Sequence, residues 1–330
     1  MVYKGTMDLS DFTRRHKRRP GLLGIEKLCV MYTLFTTVLA IVFSKEITGF
    51  TEMLVGRAAV LAGLAAMIFV YRLRACRLTL FLRIAYQFAL LAYWYPDTYL
   101  FCQLFPNLDY LFAATEQTIF GCQPALLFCE HFSGMFWSEI FNLGYFSYYP
   151  MIFFVVVWTF LMHYKYFERT TFIIICSFFI YYLVYLFLPV AGPQYYYQAV
   201  GVDSIRDGIF PELGNYFRYN TDMLPAAHDG GLFFRLVEAA QEGGERPTAA
   251  FPSSHVGIST ILLILTYKVR KKTVVLLLPF YVLLCCATVY IQAHYLIDAI
   301  AGFATAFVVY AISYKLYYTS LFHRKRGYHS

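Results

Sequence analysis

Eight apolar runs, at 24–44, 54–70, 79–96, 141–163, 171–190, 254–268, 273–292 and 295–317, make a lipid bilayer the natural solvent of this 330-residue chain. A hydrocarbon core of about 30 Å needs about 20 mostly apolar helical residues, and these runs meet or approach that length. Only 14% of the residues are charged against 59% hydrophobic, whereas soluble domains carry about 25% charge. The deficit extends along the whole chain, which predicts an all-α polytopic bundle of about eight spans rather than a soluble domain with one anchor. Arg57 and Arg83 interrupt the second and third runs. A charge at depth is costly, so each is expected to reach the interface or face the bundle.

The basic residues set the orientation. They cluster as RRHKRR (14–19), YRLRACR (71–77), YKVRKK (267–272) and HRKR (323–326), with Lys165 and Arg169 between the fourth and fifth runs. Threading eight helices from a cytoplasmic N-terminus puts all of these on one side, as the positive-inside rule requires. The opposite side keeps only Lys45, Arg206, Arg218, Arg235 and Arg246. Both termini are therefore expected in the cytoplasm. The net charge of +7 is accounted for by topology, and no basic stripe points to nucleic acid. No cleavable leader is expected, because the first 20 residues are polar and basic. Compact loops favour a bacterial inner membrane.

Two outer loops are long. Residues 97–140 are aromatic enough (YLFAATEQTIFG, FWSEIF) to hold a short interfacial helix. Residues 191–251 are polar and punctuated by Gly and Asp, as in HDGG at 228–231. The eight cysteines contain no CxxC pair. Cys102, Cys122 and Cys129 fall in the first outer loop, where an oxidising compartment would permit one disulfide, with free thiols as the alternative. The division expected is 1–140, three spans plus the outer loop, and 141–330, a membrane domain that carries the chemistry.

That chemistry converges on two stretches, FPSSHVGIST (251–260) and AHYLID (293–298). His255 and His294 are 39 residues apart. One helix descends, turns at VRKK, and the next climbs back at about 1.5 Å per residue. Both imidazoles therefore return to the same face. Asp298, four residues beyond His294, lies on one helical face with it and could accept its N–H. Ser253 and Ser254 suit helix capping, and the same helix start suits a phosphate. Arg235, Arg246 and Gln194 are the candidate donors to a charged phosphoryl group from the second outer loop. No cofactor is implied. A His/His/Asp metal site is an alternative use of the same side chains, but no HExxH supports it.

PSSH (252–255) followed by HYLID (294–298) resembles motifs two and three of the type-2 phosphatidic acid phosphatase superfamily, PSGH and SRx5Hx3D. The resemblance covers roughly 141–318, the last five spans. It implies His294 as the nucleophile on phosphorus, Asp298 as its orienting partner and His255 as the acid that protonates the leaving group. The departures are specific. Where the first motif, KX6RP, would lie, the lysine position is Tyr185 and Gly192 precedes Pro193. In motif three Ala287 and Thr288 replace Ser-Arg. This pattern is similar to the inositol phosphorylceramide synthase branch, the inositolphosphotransferases. GGLFFRL (230–236), with Arg235, resembles that branch's GGLxR loop.

The function so implied is a membrane phosphotransferase working through a phosphohistidine. It would transfer the headgroup of a phospholipid or lipid phosphate to a lipid alcohol at the outer face. Water as acceptor gives the alternative, a lipid phosphate phosphatase. A reading from another class is a non-enzymatic transporter using His294 and Asp298 as a proton relay. The absence of an inverted repeat and the site's position at a membrane face count against it.

Overall fold

The computed structural model describes residues 10–18, 21–226 and 230–322. The HRKR cluster, and His228 and Asp229 of HDGG, lie outside these. Among the described residues every regular element is helical. Six helices are long and apolar enough to cross a membrane: Gly24–Val42, Phe50–Leu73, Met135–Met162 (with a bend), Tyr164–Tyr185, Lys271–Tyr290 and Leu296–Tyr317. The expected span at 254–268 is the 16-residue helix Ser254–Val269. The expected span at 79–96 is broken at Leu90 into Arg77–Ala89 and Leu91–Cys102.

Two compact units emerge, 1–93 with 316–330 and 94–315. The first holds α1 (Gly24–Val42), α2 (Phe50–Leu73) and α3 (Arg77–Ala89), packed on one another. The two arginines face inward there. Arg83 forks onto Glu26, with Nε 2.7 Å from Oε1 and Nη2 2.5 Å from Oε2. Glu26 also accepts the Leu23 N–H at 2.7 Å, so the carboxylate caps α1 while neutralising Arg83. The guanidinium lies over the Tyr71 ring at 4.7 Å. Arg57 is buried and turns back to the Met53 carbonyl.

The second unit begins within α4 (Leu91–Cys102) and continues through α5 (Asp109–Phe120) and α6 (Pro124–His131). The expected interfacial segment of the first outer loop is thus two helices. Then come α7 (Met135–Phe146) and α8 (Tyr148–Met162), a single apolar stretch bent at Ser147, followed by α9 (Tyr164–Tyr185). The second loop carries α10 (Pro193–Val200) and α11 (Leu232–Glu242). The chain ends on α12 (Ser254–Val269), α13 (Val274–Tyr290) and α14 (Leu296–Tyr317). Helix α9 is the central rod, with 72% of its apolar window buried. It packs on α8 and α12, α12 on α13, and α13 on α7. Gly144 permits the last crossing, because a Cβ there would meet the Leu283 backbone at 2.8 Å. All eight cysteines are free thiols, and Cys102 is buried.

Candidate active site

Three loops meet at one end of the second unit. Residues 189–194 follow α9, 247–253 precede α12, and 291–295 join α13 to α14. Their backbones are laced together. Ala250 N–H donates to Val190 O at 2.9 Å, Gln194 N–H to Gln292 O at 2.8 Å, and Ser253 N–H to Asp298 O at 3.0 Å. Asp109, fully buried on α5, gathers two of these loops by accepting from four donors. They are the N–H groups of Ala191 and Gly192, Asn107 Nδ2, and Tyr295 Oη. Four donors satisfy an ionised carboxylate. Asp109 therefore fixes the chain on either side of the site without entering it.

The strain in these loops is local. Ala249 (φ 68°) and Gln292 (φ 61°) occupy the left-handed region without being glycine, at about 1–3 kcal/mol each. The first directs the Ala250 carbonyl, and the second precedes His294 by two residues. Together they bring Ala250 O to 2.8 Å from His294 Nδ1. A carbonyl can only accept, so Nδ1 carries the proton and the lone pair sits on Nε2. Nε2 faces His255 Nδ1 at 3.4 Å, with ring centroids 5.6 Å apart. His255 is sandwiched by Tyr145 at 4.7 Å and Tyr148 at 4.4 Å between centroids. His294 is 4% exposed, and burial pulls its pKa down to about 4, against upward pulls from Ala250 O and Glu245.

The residues singled out from sequence distribute unevenly. His255, His294 and Ser254 line a small cavity of about 10 Å³, room for about one water. A phosphate therefore needs the lining side chains to part. Ser253 is fully buried and caps α12, its Oγ accepting the Val256 N–H at 3.4 Å. Asp298 Oδ2 lies 3.8 Å from His294 Nδ1 and accepts the Tyr295 N–H at 2.8 Å. The closest acceptor to Nδ1 is thus a backbone carbonyl, with the carboxylate behind it. Gln194 is buried, and its Oε1 accepts from Gln241 Nε2 at 3.4 Å. Arg235 is exposed, and its Nη2 donates to the Gly230 carbonyl at 3.4 Å. Arg246 is half-buried, donating to the Glu245 carbonyl at 2.6 Å. Neither arginine lines the cavity.

Two side chains at the site escaped the sequence reading. Glu245 lines the cavity, accepts from Tyr95 Oη at 3.1 Å, and is close enough to His294 to stabilise its charged form. Burial raises its pKa. Its signal in the chain is GGERP (243–247), a carboxylate beside an arginine in a glycine-rich turn. Tyr185 stands where a lysine was sought. Its hydroxyl donates to Pro252 O at 2.7 Å and accepts the Ser254 N–H at 3.0 Å. That hydrogen bond ties α9 to the PSSH turn and occupies an amide that the helix start would otherwise present to an anion.

A partly desolvated imidazole with its lone pair opposite a second imidazole can form and cleave a bond to phosphorus. Among the described residues no group of three His, Cys, Asp or Glu is placed to hold a metal ion. A family model described as the PAP2 superfamily matches residues 134–312. No curated protein and no solved structure matches the chain.

Proposed function

With more than half of its length matched, the chain belongs to the PAP2 superfamily, and from that premise we propose that it is a lipid headgroup phosphotransferase acting through a phosphohistidine on His294. Membership carries a phosphatase or phosphotransferase kind of activity, and the six apolar helices make it a multi-pass membrane protein. The observation that carries the finer reading is the facing pair of imidazoles, Nε2 to Nδ1 at 3.4 Å, with the Nδ1–H of His294 donated to Ala250 O.

In the first half-reaction His294 Nε2 attacks phosphorus and the bond from phosphorus to the diacylglycerol oxygen breaks. Protonated His255 gives its proton to that oxygen, and diacylglycerol leaves. In the second half, a lipid alcohol attacks the phosphohistidine, its proton passes to His255, and the P–N bond breaks. Both histidines return to their starting states. General acid–base assistance of this kind is worth about 10²–10⁴ in rate. Asp298 holds the start of α14, and so the position of His294, through Tyr295 N–H. Transfer rather than hydrolysis is favoured by the Tyr185 and Thr288 departures, which the inositolphosphotransferases share. The basic clusters support a reaction at the opposite, outer leaflet, and the compact loops support a bacterial inner membrane as its setting.

The test uses purified protein in mixed micelles with a phospholipid labelled in its phosphorus. Wild-type protein should retain acid-labile label, and His294→Ala should retain none. His255→Ala should form it about 10²–10⁴-fold more slowly. Label on the His294→Ala protein would refute the assignment. Label released to water as headgroup phosphate, or as free phosphate from a lipid phosphate, with no new phospholipid, would make the enzyme a hydrolase.

A further inference from the structure

The charge lining the cavity is unusual for a site that handles phosphate. Among the described residues lining it there is one carboxylate, Glu245, and neither lysine nor arginine. The positions where cations were sought hold Tyr185 and Thr288, and the hydroxyl of Tyr185 covers the Ser254 amide. Arg246, the nearest guanidinium in sequence, is committed to the carbonyl of Glu245. A phosphate monoester dianion entering here would meet one carboxylate and one imidazole, His255, that must first take up a proton. Its second charge would go unmatched in a desolvated site, where an unpaired charge costs several kcal/mol.

The carboxylate that supports the charged form of His294 also presents itself to the cavity. Tyr95 Oη fixes one oxygen at 3.1 Å. Tyr145, Tyr149 and Tyr195 stand within electrostatic reach of it. The Tyr145 ring continues into the stack on His255. A carboxylate among tyrosine side chains, beside a phosphate position, is chemistry that accepts an organic ammonium ion.

We propose that the donor lipid is zwitterionic, a phosphodiester whose headgroup carries an ammonium centre seated on Glu245 against Tyr95 and Tyr145. This rests on the headgroup-transfer reading above and deepens it. Charge then closes in two pairs: phosphodiester monoanion with protonated His255, and ammonium with Glu245. A donor with an uncharged polyol headgroup leaves Glu245 to His294 and Arg246 alone, so the pocket separates donor classes that the sequence motifs do not.

The experiment measures diacylglycerol release by the full-length protein in mixed micelles. The donors are phosphatidylcholine, phosphatidylethanolamine, phosphatidylinositol and phosphatidate, each with wild type, Glu245→Gln, Glu245→Asp and His294→Ala. One of the two zwitterionic donors should turn over at least tenfold faster than either anionic one. Glu245→Gln should cut that ratio at least tenfold, and Glu245→Asp should restore part of it. A ratio is read within one preparation, so partial misfolding of a variant cancels. Preference for phosphatidylinositol or phosphatidate, or an equal loss on every donor in Glu245→Gln, overturns the ammonium site while His294-dependent turnover stands. Turnover that survives His294→Ala, or none in wild type, overturns the reaction reading itself.

Discussion

Replacing Gly302 by alanine should cost the enzyme its activity while leaving its helices in place. Gly302 is one turn beyond Asp298 on α14, and the two present a strip of bare backbone to the PSSH turn. The Asp298 carbonyl accepts the Ser253 N–H at 3.0 Å. A Cβ on Gly302 would collide with the Ser253 carbonyl oxygen and come within 3.2 Å of the Ser253 Cβ. The obstruction is backbone, so no side chain can swing away. Ordinary contact begins at 3.4 Å, leaving the turn about one ångström to move. His255 is two residues from the point of contact and would move with it, lengthening its 3.4 Å approach to His294. Misplacing a catalytic group by 1 Å costs about 10²-fold in rate, and overpacking a core costs about 1–3 kcal/mol in stability. The assay compares phospho-enzyme formation and thermal unfolding in one detergent. A rate down about 100-fold with a still-cooperative melt is expected. A Gly302→Ala protein with wild-type rate would refute the idea that α14 sets the distance between the histidines.

Two further outcomes follow from the same geometry. Tyr185→Phe leaves the Ser254 N–H and the Pro252 carbonyl buried without their shared hydroxyl; at about 1–3 kcal/mol per orphaned group, its melt should fall clearly below wild type, and an unchanged melt would show the tie to be idle. His294 has a folded pKa of about 4 against 6.5 for a free imidazole. Between those values the unfolded chain binds a proton that the folded one refuses, so stability falls on acidification from pH 6.5 to 4, by up to about 3 kcal/mol. Melts across that range should show the slope, His294→Gln should lose that share of it, and identical slopes would refute the buried neutral imidazole.

Much of the membrane architecture was legible in the chain because hydropathy is a local property. A run of 20 apolar residues needs no knowledge of its neighbours to be excluded from water, and the charged loops follow. The meeting of His255 and His294 was legible for a related reason: a hairpin of two helices has a length that sequence separation measures. The break at Leu90 and the two helices replacing a single interfacial one were not, since neither leaves a strong composition signal. The arginines show the limit from the other side. The motif points to Arg235 and the place six residues before Pro252 to Arg246, but one is exposed and the other turns to the Glu245 carbonyl.

What the sequence alone determined is the solvent, the approximate set of spans and the pairing of the two histidine-bearing stretches, all set by composition and by spacing along one chain. Tertiary structure decided that a carbonyl at residue 250 orients His294, that Tyr185 ties down the PSSH turn, that Asp109 gathers loops more than 80 residues away, and that Glu245 faces the cavity. Each of these is a hydrogen bond or an electrostatic contact between distant segments. Its energy depends on ångström-scale distance and on the exclusion of water, and both exist only once the helices have packed.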